Sequence, residues 1–134
     1  MTPPLEPNIP APGMYPYVYK ILRMNEWANF KRDAVFKGSE DDLRDGFIHL
    51  STGAQLQSTL DKYYSSAQTG GEDIVIAKVD VSAVIDNLKY ELARKTLYFP
   101  HLFIPLEWGH IVDFKTLTIN SSGHYDVSDI MGKV

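Results

Sequence analysis

The sequence predicts a single α+β domain, and three observations lead there. Its 134 residues suit one core that buries about two-thirds of the unfolded surface. Strand-like and helix-like segments follow one another without the regular strand–helix–strand alternation of a doubly wound sheet. No Gly-x-Gly-x-x-Gly follows any strand and no Walker loop is present, which removes the Rossmann and P-loop readings.

Taken in order, residues 1–16 carry six of the eight prolines and read as an extended, disordered tail, because proline denies the chain helix and ladder hydrogen bonds. They lack the charged and apolar regions of a secretory signal. A ligand for a proline-binding partner is the other reading of this tail. The domain proper is expected over 17–120, followed by a C-terminal extension at 121–134.

Tyr17 to Met24 is rich in β-branched and aromatic residues and reads as the first strand. Asn25 is the expected cap of a helix through about Asp33, with Trp27, Phe30 and Ala34 on one face. Ser39-Glu40-Asp41-Asp42 suits the acidic first turn of a short helix to about Arg44, and Asp45-Gly46 turns the chain. A short buried strand through His49 then meets the capping box Thr52-Gly53-Ala54-Gln55. The helix that follows presents Leu56, Leu60 and Tyr63 or Tyr64 and is expected to end near Ala67. Asp73 to Asp80 is nearly continuous in apolar residues and so is expected at the centre of a sheet. Val81 to Asn87 suits a turn of helix, and Leu88 to Ala93 alternates as a strand. Tyr98 to Leu106 is interrupted by Pro100 and Pro105 and is expected to be an ordered irregular segment. Trp108 to Asn120 reads as the last long strand, and 121–134 as turns with a weak terminal helix.

Composition narrows the function classes. The chain is 44% hydrophobic and 22% charged, with a net charge of −4, so no basic excess supports duplex nucleic-acid binding. No apolar run approaches the ~20 residues that span a bilayer. There are no cysteines, which excludes disulfides, thiolate nucleophiles and cysteine zinc sites and fits a reducing, cytoplasmic location.

The run Asp45-Gly46-Phe47-Ile48-His49-Leu50-Ser51-Thr52 places an imidazole in a buried strand. Alternation puts Phe47, His49 and Ser51 on one face. His49 reads either as a histidine that fixes its strand through a backbone carbonyl or as a donor to a ligand hydroxyl or phosphate. His101 follows a rigid proline among aromatic residues, which suits a packed core or a ligand-stacking pocket. Glu91 reads as a solvated residue near Arg94 or Lys95, or as a carboxylate that stabilises positive charge developing on a ribose. His49, His101 and Glu91 lack metal-ligand spacing, so no metal site is expected. His110 and His124 suit structural or solvated roles. No Gly-x-Ser-x-Gly elbow accompanies Ser39 or Ser51. Asp41, Asp42 and Asp45 lack a calcium-loop period and read as a solvated helix start.

Tyr19-Lys20-Ile21, Glu26-Trp27, the block Gly38-Ser39-Glu40-x-Asp42-Leu43-x-Asp45 through Thr52, Val79-Asp80, Tyr90-Glu91, Phe99-Pro100-His101-Leu102 and Pro105-Leu106 closely resemble the domain-of-unknown-function 952 family, over roughly Tyr19 to Val112. That family is grouped with ADP-ribosyltransferase-like proteins. The resemblance therefore implies a small split or mixed β-sheet with flanking helices and a cleft that in relatives holds NAD. His49-Leu50-Ser51 is also similar to an element of RNA 2′-phosphotransferases, although the arginines those enzymes use have no matching motif here. Where the family tends toward Tyr-Gly-Pro-Leu, this chain has Phe103-Ile104-Pro105-Leu106.

The reading that follows is an NAD or nucleotide cleft with His49, Glu91 and His101 as catalytic residues and Phe47, Ser51, Thr52 and Tyr98 as ligand-binding ones. In it His49 bonds a ribose hydroxyl and Glu91 polarises the reacting ribose. A non-catalytic small-molecule-binding or scaffold protein with the same fold is the rival. A hydrolase using His49 and His101 as an acid and base pair is the third reading.

Overall fold

The computed structural model describes residues 9–93 and 97–128. Its first element, β1 (Tyr17–Arg23), buries side chains on both faces, with Val18 and Leu22 in one core and Tyr19 and Ile21 in another. The helix α1 (Met24–Asp33) starts one residue before the expected cap: Glu26 Oε1 accepts the Arg23 N–H at 2.8 Å and so caps the first turn. Trp27 and Phe30 are buried as expected. Ala34, expected on the same face, instead ends the helix with a left-handed φ of 62°.

A strand the sequence reading lacks, β2 (Val35–Phe36), follows. The short helix α2 (Glu40–Asp45) starts where the acidic turn was expected, is capped by Ser39, and ends at Gly46, whose φ of 86° only glycine adopts freely. The strand β3 is only two residues long (Ile48–His49). Thr52 then caps a 3-10 turn, Gly53–Gln55, that leads into α3 (Leu56–Tyr63). The helix stops short of Ala67 because Gln68 Oε1 takes the Ser65 N–H at 2.8 Å and so starts a separate turn, α4 (Ser66–Thr69).

The strand β4 (Ile74–Asp80) is central, as predicted, and α5 (Val81–Val84) follows it. The two strands β5 (Leu88–Ala93) and β6 (Leu97–Leu102) pair over six positions. That corrects the irregular reading of the proline-broken segment. The Pro100 carbonyl accepts the Leu50 N–H at 3.1 Å. A residue's N–H and C=O lie on the same strand edge, so the N–H that proline lacks would point toward Leu50, just past the end of β3. One ladder bond is lost, and the strand survives. A two-residue strand the sequence reading lacks, β7 (Leu106–Glu107), comes next, and the expected last strand shortens to β8 (Ile111–Leu117) behind a 3-10 turn at Trp108–His110.

Among the described residues the strands form three small sheets, ordered β1-β4-β8, β3-β6-β5 and β2-β7. Every pairing is antiparallel among the described residues, where a mixed sheet had been one expectation. Reciprocal backbone bonds between Tyr19 and Ser51, at 2.8 and 2.9 Å, join β1 to the end of the β3 segment. Two three-stranded halves therefore meet edge to edge as a split sheet. Trp27, Phe30 and Leu88 fill one core, and Leu56, Leu60, Tyr125 and Val127 fill the other, so part of the expected C-terminal extension packs into the fold. Residues 1–8 of the expected tail, the rest of the terminal helix, and Arg94 and Lys95 beside Glu91 lie outside the described residues. No helix among the described residues is long and apolar enough to cross a membrane.

Candidate functional site

The two histidines face each other across adjacent strands: His49 of β3 is directly paired with His101 of β6. Lys89 of β5 pairs with His101 from the other side, and Glu91 pairs with Phe99. Cross-strand partners share a face, so His49, His101, Lys89 and Glu91 come together. Phe47, two residues before His49, joins them by stacking on His101 at 3.9 Å between ring centroids and 18° between planes. The imidazole centroids are 5.7 Å apart.

The local fold of α2 explains why His49 is held. Asp42 sits at the third helical position and accepts the Ser39 N–H at 2.9 Å, which turns its carboxylate back along the chain. Gly46 then reverses the backbone, and β3 returns beside the helix. Asp42 consequently also accepts the His49 backbone N–H at 3.0 Å and His49 Nδ1 at 2.6 Å. A carboxylate only accepts, so Nδ1 carries the proton. Lys20 completes the corner from β1, donating to Asp42 Oδ2 at 2.8 Å and to the His49 carbonyl at 3.1 Å. Burial alone would raise the Asp42 carboxyl, but the hydrogen bonds from His49 and the charge of Lys20 outweigh it and hold the group well below the usual carboxylate range. On the outer side, His49 Nε2 lies 3.0 Å from Asp45 Oδ2. Asp45 is itself held ionised, chiefly by its bond to Arg44.

His101 is anchored differently. Its Nδ1 meets Glu91 Oε1 at 2.7 Å beneath the Phe47 ring. Burial lowers the imidazole from its ordinary value, against the upward pull of Glu91. A neutral ring that donates Nδ1–H to Glu91 leaves Nε2 with its lone pair, the form that accepts a proton or a hydroxyl hydrogen.

Two of the remaining expected ligand residues, Tyr98 and Thr52, lie elsewhere. Tyr98 pairs with Leu92 and so occupies the opposite face of β6, and its carbonyl accepts Gln55 Nε2 at 2.7 Å. Ser51 is buried, with its main chain committed to Tyr19. Thr52 lines a separate cavity of about 210 Å³ with Tyr15, Tyr17 and Tyr19. Phe47 is the member of that group whose ring packs against both histidines.

Sequence reasoning missed Lys20, and it misread Asp42 as solvated when the carboxylate is buried. Two signals were available: a lone lysine inside an apolar strand, and the Ser39-x-x-Asp42 spacing of a reciprocal cap. His110 accepts the Glu107 N–H at 3.0 Å and His124 lies 3.7 Å from Asp61, both structural contacts. Among the described residues no group of three or more histidine or carboxylate side chains is arranged to hold a metal ion.

A family model described as "Protein of unknown function (DUF952)" matches residues 21–114. The crystal structure of protein CC0527 from Caulobacter crescentus is similar at 34% identity and a TM-score of 0.78, covering 87% of this chain and 98% of that one. The solution NMR structure of CC0527 gives a TM-score of 0.74 at the same identity, covering 87% of this chain and 97% of that one. No curated protein matches.

Proposed function

The chain belongs to the DUF952 family of proteins of unknown function, and from that premise we propose that the His49–His101 face binds NAD or a related nucleotide in an ADP-ribosyltransferase-like cleft, with transfer or hydrolysis at the ribose C1. The observation that carries this reading is the convergence of His49, His101 and Glu91 from three neighbouring strands. A ribose offers hydroxyls that both donate and accept. His101 Nε2 is suited to accept one of them. Glu91 is the half-exposed carboxylate beside it. When the bond from C1 to the nicotinamide nitrogen breaks, the ring leaves with the bonding pair, and a carboxylate at that point lowers the cost of the positive charge left on the sugar. Phe47 and Phe103, 5.6 Å apart, offer flat apolar surface for a ring. Lys89, whose ammonium lies 5.7 Å from the Phe103 centroid, is the cation suited to a diphosphate.

Calorimetric titration with NAD and with ADP-ribose tests the binding. Heat is expected at millimolar ligand, with loss in His49→Ala. No heat in that range, with His49→Ala indistinguishable from the parent, overturns the proposal. One observation favours the rival reading of a non-catalytic binding or scaffold protein: both ring nitrogens of His49 already contact carboxylates. Release of nicotinamide that is lost in Glu91→Gln supports catalysis, whereas binding without release supports the rival.

A further inference from the structure

We propose that the outer edge of β8 is a self-docking strand through which two copies of this chain form an antiparallel dimer. In the sheet order β1-β4-β8 this strand is terminal, and among the described residues no strand pairs with its outer side. Its exposed stretch mixes apolar and charged side chains: Val112 is 52% exposed and Phe114 49%, with Asp113 and Lys115 exposed on either side of Phe114. Charged side chains and a bulge close an edge to indiscriminate pairing, so a partner strand must match them.

Charge selects a second copy as the occupant. Asp113 and Lys115 flank Phe114 one residue to either side. In an antiparallel pair centred on Phe114, Asp113 of each copy falls opposite Lys115 of the other, twice by symmetry. Centring on Asp113 or on Lys115 instead opposes like charges, so the pattern specifies one register. The backbone agrees with this. The Phe114 N–H is bonded to its own Asp113 Oδ1 at 2.8 Å, which places it on the outer edge under a local cap. Pairing exchanges that cap for the carbonyl of the other Phe114 and gives Asp113 a lysine partner. The register shift between Lys78 and Val79 makes Val112 the extra residue of a bulge, so the paired stretch centres on Phe114 rather than running the length of the strand. The Phe114 ring also touches Trp27, 4.8 Å away, which in turn packs on the partly exposed Trp108 at 5.1 Å. A two-fold axis at Phe114 extends this aromatic patch from one copy to the next. The histidine face lies at the far end of the split sheet and stays open.

Because the chain has no cysteine, a single introduced thiol reports the register. Oxidised Phe114→Cys is expected to run as a covalent dimer on a non-reducing gel, since directly opposed residues lie about 5.5 Å apart at Cα, within disulfide range. Thr116→Cys should stay monomeric, its two copies being roughly 13 Å apart in this register. Light scattering of the parent protein up to millimolar concentration should show a dimer weakened at least tenfold by Asp113→Lys or Lys115→Asp and recovered in the double swap. A monomer throughout overturns the proposal, as does a dimer indifferent to both charge reversals. Dimerisation that appears only after deletion of residues 1–8 or 129–134 gives the edge to that segment and equally overturns it.

Discussion

His49 and His101 are directly opposed on neighbouring strands, yet their surroundings are inverted. The His49 side chain is 40% exposed and its carboxylate partner Asp42 is 1% exposed, whereas the His101 side chain is 7% exposed and its partner Glu91 is 44% exposed. The same pair of groups is thus buried from opposite ends. At His49 the fixed element is the carboxylate, ionised and tied to Lys20, with the imidazole projecting outward from it. At His101 the fixed element is the imidazole, under Phe47, with the carboxylate reaching in from solvent. Burial of an ion pair makes the first corner a matter of stability. Burial of a neutral ring makes the second a matter of proton affinity.

The largest effect should come from the first corner. Asp42→Ala leaves the Lys20 ammonium buried without its anion and removes the acceptor for His49 and for the Ser39 N–H at the start of α2, a loss expected at about 3–5 kcal/mol. Urea denaturation measures it. Adding Lys20→Met should restore a substantial part, because the double variant no longer buries an unpaired charge. If the double variant is as unstable as the sum of the two single ones, the ion pair is not what holds the corner and the contrast with His101 fails.

The acid dependence of stability should separate the corners next, and with smaller amplitude. The His101 pKa is lowered in the fold, so the unfolded chain takes up its proton first. Stability from this group is therefore full above the ordinary imidazole value of about 6.5 and declines as pH falls below it. The folded Asp42 pKa is likewise depressed from 3.8, so its contribution is full above that value and is lost only in stronger acid. Two successive declines are expected in the midpoint of denaturation plotted against pH. His101→Phe should abolish the upper one and leave the lower. A curve for His101→Phe parallel to that of the parent from pH 7 to pH 5 would show that His101 is not a desolvated, neutral ring.

The same contrast explains what could be read from the chain. Strand β4 was legible because a short, nearly continuous apolar run, rich in β-branched residues and bounded by aspartates, fits a central strand. The start of α2 was legible because an acidic first turn is a local pattern. His49, Glu91 and His101 could be picked out as polar groups within strand patterns, but the register that opposes them depends on how β3, β5 and β6 align, and no local rule supplies that. Asp42 was misread because an acidic first turn is normally solvated. It is buried only because β1 delivers Lys20 to it from 22 residues away. Pro100 misled in the opposite direction: proline weakens a strand in general, but here its missing donor falls where the neighbouring strand has already ended.

The smallest effect belongs to Glu91→Gln and bears most directly on the second corner. Glu91 is half exposed, so water screens its attraction to His101, and the change in stability should stay within about 1 kcal/mol. The titration of His101 should nonetheless move, because the carboxylate opposes the effect of burial. Glutamine keeps an oxygen that accepts Nδ1–H but removes the negative charge that favours the imidazolium. The His101 midpoint, followed by NMR of the ring protons against pH, should therefore fall further below its already lowered position. An unchanged His101 midpoint would mean that the 2.7 Å contact does not persist in solution. The imidazole would then be held by burial under Phe47 alone, and Glu91 would be free to serve a ligand without any histidine beside it.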